Sequence, residues 1–179
     1  MKPDQNLPLT PSQTVGPYFH LGLSARHCAS SANCIRLHCR VLDGDGVPVN
    51  DAMLELWQAD ANGYYSSSDV SFTGFSRMAT DENGACTFEI VKPGLIAAPN
   101  GSRQAPHLNV SVFARGLLKR ACTRIYFASD RANDDDPILA LVPEERRDTL
   151  IAQPDPDKPG SWHFDVRLSG DRETVFFDI

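Results

Sequence analysis

A histidine and an asparagine two residues apart, His107 and Asn109, have the spacing in this sequence that best suits a binding site. In an extended strand, residues i and i+2 point to the same face, so the imidazole and the amide stand side by side. Two histidines at this spacing could ligate one metal ion, but here the second position is an amide. The pair therefore predicts either half of a metal site or a hydrogen-bonded structural pair, and His107 suits both equally.

The segment that must position this pair runs from His107 to Phe113 and alternates in polarity. Leu108, Val110 and Val112 fall on one face, which predicts a half-buried strand with its apolar side toward a core. Arg115 follows the far end of the strand and suits a surface ion pair or an anion clamp about equally. Taken alone, Tyr65 is better explained by packing than by metal ligation.

The rest of the chain predicts an all-β fold, a β-sandwich with short helical turns. Short alternating segments are separated by turn signals such as Asp81-Glu-Asn-Gly84 and Lys92-Pro-Gly94. Asp136 and Pro137 predict a helix start, and the acidic run 134–136 suits a solvated loop. Residues 1–34 are predicted to form an extended N-terminal arm and loop, and residues 35–179 a single domain. The predicted strands cover residues 35–41, 53–58, 72–80, 86–91, 107–113, 123–128, 162–168 and 173–178.

Composition and charge exclude several classes of function. The 179 residues carry a formal net charge of -6 with a pI near 5.3, which argues against nucleic acid or an anionic membrane as a partner. The N-terminus lacks the apolar segment of a signal peptide, so we expect a cytoplasmic protein. Five cysteines without Cys-x-x-Cys spacing predict neither a disulfide framework nor a zinc site.

Several motifs, taken in order, resemble the intradiol ring-cleaving dioxygenases, and specifically the protocatechuate 3,4-dioxygenase family. The resemblance spans nearly the whole chain and implies a prealbumin-like β-sandwich. Enzymes of this family pair two homologous chains, alpha and beta, and the beta chain holds one non-haem ferric ion through two tyrosines and two histidines. The motifs are Pro11-Ser-Gln-Thr-Val-Gly-Pro-Tyr18, Leu54-Glu-Leu-Trp-Gln-Ala-Asp-Ala-Asn-Gly63, Val91-Lys-Pro-Gly94, Ala105-Pro-His-Leu-Asn-Val-Ser-Val-Phe-Ala-Arg-Gly116, Thr123-Arg-Ile-Tyr-Phe127 and Glu173-Thr-Val-Phe-Phe-Asp178.

Two of the four iron-ligand positions implied by the resemblance have lost their donors. Carried over residue by residue, the positions are Tyr65, Ile96, His107 and Asn109. Ile96 has no donor atom and Asn109 offers only a neutral amide, so a hard ferric ion would lose an anionic oxygen and an imidazole. We therefore expect a vestigial site that binds no metal, in a chain of the alpha type.

The resemblance also implies how an alpha chain contributes to activity. The family places Thr14, Gly16 and Pro17 of the arm against the substrate pocket of the iron-bearing beta subunit, and Arg115 near the substrate carboxylate. The substrate would be protocatechuate (3,4-dihydroxybenzoate), cleaved with O2 to β-carboxy-cis,cis-muconate within a higher-order alpha-beta oligomer. A guanidinium suits that carboxylate because it can donate two parallel hydrogen bonds. The isolated chain is expected to be inactive.

Two other hypotheses stay open on the sequence. The chain could be a self-sufficient metal enzyme with an unrecognised ligand set. It could also be a non-catalytic β-sandwich that binds a small anion or scaffolds an assembly.

Overall fold

The computed structural model describes residues 33–66, 72, 74–97 and 101–178, and strands dominate them. One short helix, α1 (Glu144–Arg147), and three 3-10 turns, at Arg131–Asp135, Leu139–Leu141 and Asp148–Leu150, lie between the eighth and ninth strands. The strands are β1 (Cys34–Leu42), β2 (Met53–Gln58), β3 (Phe75–Ala79), β4 (Ala85–Val91), β5 (Ile96–Ala97), β6 (Arg103–Gln104), β7 (His107–Phe113), β8 (Ala121–Phe127), β9 (Ile151–Pro154) and β10 (Ser161–Arg167).

The strands form two four-stranded layers that pack face to face. One layer has the order β4-β1-β10-β9 and the other β3-β2-β7-β8, and a short parallel pairing of β8 with β9 joins them. The main core lies between the layers and includes Leu37, Leu54, Val110 and Phe164, each less than 5% exposed. The predicted all-β sandwich with short helical turns is confirmed. The first strand begins at Cys34, one residue before the domain boundary predicted at residue 35.

The strand predicted at residues 173–178 is wrong, although its sequence alternates. Side-chain hydroxyls take both backbone hydrogen bonds of Val175, in the middle of the segment: Thr149 Oγ1 accepts from Val175 N, and Thr123 Oγ1 donates to Val175 O. Only one bridge, between Phe177 and Cys122, resembles sheet pairing. The segment therefore packs along the sandwich without joining a ladder.

Three smaller expectations also need correction. β3 begins only at Phe75, whereas the strand was predicted from residue 72. Asp136, expected in a solvated loop, is fully buried, whereas Asp134 and Asp135 are exposed. Cys34 is disulfide-bonded, while Cys39, Cys86 and Cys122 are free thiols as expected.

Among the described residues, no helix is long and apolar enough to cross a membrane.

Candidate functional site

The residues singled out on β7 lie on the outer face of their sheet, away from the main core. Leu108, Val110 and Val112 are buried between the layers, so His107 and Asn109 point the other way. His107 nevertheless has no exposed surface, because a second apolar cluster covers this face. That cluster comprises Ala105, Tyr126, Leu139, Val142 and Leu150. His107 is thus buried between the sheet and the helical turns above it, whereas Tyr65 and Asn109 remain partly exposed.

Tyr65, His107 and Asn109, three of the four ligand positions implied by the family resemblance, meet in one hydrogen-bonded cluster. Asn109 Nδ2 donates to the Tyr65 hydroxyl at 2.9 Å and to the carbonyl of Trp57, its cross-strand neighbour, at 3.3 Å. The Tyr65 hydroxyl lies 3.4 Å from His107 Nε2. The Tyr65 ring also stacks on Trp57, with 6.1 Å between ring centroids. The amide of Asn109 therefore ties Tyr65 to the sheet.

His107 is held as a neutral imidazole with a defined tautomer. Its Nδ1 lies 2.8 Å from the carbonyl oxygen of Ala105, which can only accept, so Nδ1 carries the proton and donates it. The lone pair of Nε2 then faces Tyr65, whose hydroxyl can donate to it. Burial, reinforced by the positive charge of Arg124, lowers the pKa of His107 from 6.5 to about 4. At neutral pH the ring is uncharged.

The loop that carries Tyr65 is fixed by its own backbone and by Asp60. The Asp60 carboxylate accepts hydrogen bonds from the amides of Asn62 and Tyr64, and its carbonyl accepts one from Gly94. Gly63 has a φ of +85°, and a Cβ there would overlap the carbonyl oxygen of Leu95. Only glycine suits this position, both for its dihedral angle and for the close approach. The loop consequently lies directly against residues 95–96.

Ile96 occupies the fourth ligand position with a buried aliphatic side chain. It is 7% exposed and pairs with Gln104 in the short β5–β6 ladder that leads into β7. A donor at this position is therefore replaced by apolar packing, as the sequence indicated.

A second polar network lies beside His107 and was not predicted from the sequence. The Asp136 carboxylate accepts from the Tyr126 hydroxyl and from the backbone amides of Ala105, Ile138 and Leu139, at 2.7–3.1 Å. Tyr126 stands opposite His107 on β8, and burial raises its pKa well above the ordinary value. The sequence had identified Asp136 as a helix start and as part of a solvated acidic run. The helix start explains its bonds to residues 138 and 139, but neither expectation explains those to Tyr126 and Ala105.

The cluster does not fit ferric iron. The structure leaves only Tyr65 and His107 as donors, and their polar atoms already face each other and Asn109. Across the described ranges, no group of three or more His, Cys, Asp or Glu side chains is arranged to hold a metal ion. Two donor side chains supply too few ligands and too little negative charge to hold a hard trivalent ion.

The structure places Arg115 far from this cluster. β7 runs from His107 to Phe113, about 20 Å at the usual rise per residue, and Arg115 lies in the turn beyond its far end. Its side chain is 78% exposed and its Nε lies 3.4 Å from Asp51 Oδ2. Any contact between Arg115 and a substrate therefore requires a site outside this chain's own cluster. The other predicted pocket residues, Thr14, Gly16 and Pro17, lie outside the described residues.

Comparisons with known proteins agree with this fold. A family model described as Dioxygenase matches residues 23–170. The chain is 45% identical to the protocatechuate 3,4-dioxygenase alpha chain of Burkholderia cepacia, over 95% of this chain and 97% of that one. It is 31% identical to the beta chain of the same enzyme from Burkholderia cepacia, over 93% and 78% of the two chains. The solved dioxygenase domain of a dioxygenase carbohydrate-binding fusion from Streptomyces sp. SirexAA-E superposes with a TM-score of 0.64 at 25% identity, covering 90% of this chain and 98% of that one.

These matches define the class of protein: the chain belongs to the intradiol dioxygenase family. Within that family it is similar over almost its whole length to an alpha chain of protocatechuate 3,4-dioxygenase.

Proposed function

We propose that this chain is the alpha subunit of a protocatechuate 3,4-dioxygenase and works only with a homologous beta subunit that binds non-haem Fe(III). The assembled enzyme cleaves the ring of 3,4-dihydroxybenzoate between its two hydroxyl groups with O2, and the product is a ring-opened tricarboxylate. The cytoplasm is its expected compartment.

One observation carries the proposal: the position of the family's metal site is filled by a neutral hydrogen-bonded cluster. Asn109 donates to Tyr65, His107 is uncharged, and Ile96 is buried without a donor. Such a site supplies neither the charge nor the ligands for iron, which supports a role beside a metal-bearing partner. It also disfavours the hypothesis of a self-sufficient metal enzyme.

The chain's contribution to chemistry is then to bind and orient the substrate at the partner's site. Arg115 suits the substrate carboxylate, because an exposed guanidinium at a strand end can donate two hydrogen bonds to an anion of an adjoining subunit. Its present partner, Asp51, is 41% exposed and lies at 3.4 Å, so the pair is a weak surface ion pair that an incoming carboxylate can replace. Thr14, Gly16 and Pro17 would line the same pocket.

Co-expression with a beta chain that carries two tyrosine and two histidine ligands tests the proposal. We expect an iron-coloured complex with one iron per alpha-beta pair, which consumes O2 and 3,4-dihydroxybenzoate, and a colourless, inactive product when this chain is expressed alone. Stoichiometric iron and activity in this chain alone would favour the self-sufficient enzyme. A failure to associate or to turn over with any such beta chain would favour the non-catalytic sandwich.

A further inference from the structure

Two histidines stand side by side on the outer face of the β4-β1-β10-β9 layer, across the sandwich from the vestigial site. His38 on β1 and His163 on β10 are direct partners in the parallel ladder that joins these strands. Their ring centroids lie 5.1 Å apart, and the ring planes differ by 20°. Leu37 and Cys39 on either side of His38 are buried in the main core, so the His38 ring points outward. We call His38 and His163 the histidine pair.

Each ring of the histidine pair is held through one of its nitrogens. His163 Nε2 lies 3.0 Å from Asp155 Oδ2, and because a carboxylate only accepts, Nε2 carries a proton and the uncharged ring keeps a free lone pair on Nδ1. His38 Nδ1 lies 2.9 Å from Thr87 Oγ1, a hydroxyl that can accept in the same way and leave the lone pair on Nε2. Histidines that bind metals are oriented by this kind of bond from their second nitrogen to an acceptor.

These two anchors direct the free nitrogens toward each other. Thr87 lies on β4 and Asp155 directly follows β9, so the anchors flank the histidine pair from opposite sides of the layer. The two nitrogens of an imidazole point to nearly opposite sides of the ring. His38 Nε2 and His163 Nδ1 therefore both face the space between the two rings.

The spacing of the rings matches that of two imidazoles on one ion. A ligating nitrogen lies about 2.0–2.1 Å from zinc and about 1.2 Å from its own ring centre, which puts that centre about 3.2 Å from the metal. At a tetrahedral angle two such rings have centres about 5.2 Å apart, close to the 5.1 Å of the histidine pair. A ring centre lies close to the Cβ–Cγ axis, so rotation about that bond can aim the lone pairs without changing this spacing.

We propose that the histidine pair binds one divalent transition-metal ion of the kind that prefers imidazole ligands, such as Zn²⁺, Ni²⁺ or Cu²⁺. The two rings supply two ligands and water supplies the others, because within the described ranges no third His, Cys, Asp or Glu joins them in a metal-binding group. With so few protein ligands the ion exchanges readily, and we expect a dissociation constant on the order of 10 μM.

The charges around the histidine pair nearly balance. Asp155 attracts a cation and Lys158 repels it, and both act on the His38 ring. Arg36 also lies near His38, but its guanidinium is paired with Glu89 at 3.1 Å. The ion is therefore held by its bonds to nitrogen and not by a field of negative charge, so we expect Ca²⁺ and Mg²⁺, which prefer oxygen ligands, not to compete for the site.

Calorimetric titration of the untagged, full-length chain with ZnCl₂ tests the proposal. We expect one Zn²⁺ per chain to bind, and His38→Gln and His163→Gln each to weaken that binding at least about tenfold, with circular dichroism showing that both variants fold. His107→Gln is the matched control, because His107 has no exposed surface and its removal should leave the binding unchanged. Absence of binding in the wild-type chain, or binding that survives both substitutions, would overturn the proposal.

Nitrogen NMR identifies the ligand atoms. When Zn²⁺ binds, the signals of His38 Nε2 and His163 Nδ1 should shift, while His38 Nδ1 and His163 Nε2 stay protonated. Asp155→Asn should weaken binding about tenfold without abolishing it, because it weakens the acceptor that orients His163 and removes no ligand. Shifts confined to other histidines, with the histidine pair unchanged, would refute this assignment of the site.

Discussion

Removing the hydroxyl group of Tyr65 tests whether the hydrogen bonds among Tyr65, His107 and Asn109 stabilise the fold. In Tyr65→Phe, Asn109 Nδ2 loses its 2.9 Å acceptor and His107 Nε2, which is fully buried, loses its 3.4 Å neighbour. A neutral hydrogen bond contributes about 1 kcal/mol net, and a buried polar atom left without a partner costs about 1 to 3 kcal/mol. Because the contact to His107 is long and Asn109 keeps the Trp57 carbonyl, we expect a loss of about 2 kcal/mol in the free energy of unfolding.

Urea unfolding followed by circular dichroism measures this loss, provided that the denaturant dependence is unchanged. Tyr64→Phe is the matched control, because it removes the same group from the adjacent, 65% exposed ring and should change stability by less than about 0.5 kcal/mol. A double-mutant cycle with Asn109→Leu should show a coupling of about 1 kcal/mol. Equal losses of unfolding free energy in Tyr65→Phe and Tyr64→Phe, or additive losses in the double-mutant cycle, would show that these hydrogen bonds do not stabilise the fold.

Three further predictions concern substrate, assembly and pH. Arg115→Ala should lower kcat/KM of the assembled enzyme for 3,4-dihydroxybenzoate about ten- to a hundredfold, since a charge-assisted hydrogen bond contributes about 1.5 to 3 kcal/mol. The same change should hardly affect kcat/KM for catechol, which lacks the carboxylate. Deleting the residues up to Tyr18 should lower turnover of the complex while this chain still folds. The unfolded chain takes up a proton at His107 near pH 6.5 and the folded chain only near pH 4, so stability should fall by up to about 3 kcal/mol as the pH drops across that interval.

Each of these predictions has its own control. Arg115→Lys should recover part of the loss, and equal losses on both substrates would show that Arg115 supports the fold or the subunit contact. Circular dichroism and turnover of the truncated complex decide the role of the arm, and unchanged turnover would mean that it is an ordinary terminus. His107→Gln should flatten the pH dependence, and a nitrogen NMR titration that protonates His107 near pH 6.5 would contradict its buried, neutral state.

Local patterns were sufficient to predict the sandwich and the cluster on β7. The alternation from His107 to Phe113 determined which side chains face the core, and the two-residue spacing placed His107 and Asn109 together. The family resemblance, and not the local pattern, implied that Tyr65 lies near them, although 42 residues separate Tyr65 from His107. What they could not predict was the direct Asn109–Tyr65 bond, which depends on the angle at which the loop crosses the sheet.

The errors arose where side chains compete with the backbone. Residues 173–178 have a strand pattern, but the hydroxyls of Thr149 and Thr123, distant in sequence, take the two backbone hydrogen bonds of Val175 that a strand would use. Asp136 appeared to be one of three solvated acids, yet it is buried because four donors from three separate segments converge on it. Such convergence is a property of the tertiary structure and leaves no local signature.

The loop at residues 60–65, which we call the Asp60 loop, takes its shape without a metal ion. Its shape comes from the Asp60 carboxylate, from Gly63 and from the hydrogen bond between Gly94 and Asp60, all within this chain. A ligand loop shaped by a metal would acquire its final form only on loading, whereas this loop is complete as soon as the chain folds. The loop of this chain therefore needs no metal to reach its final shape. Removing the iron with a chelator should then abolish the colour of the enzyme without lowering the stability of the alpha subunit.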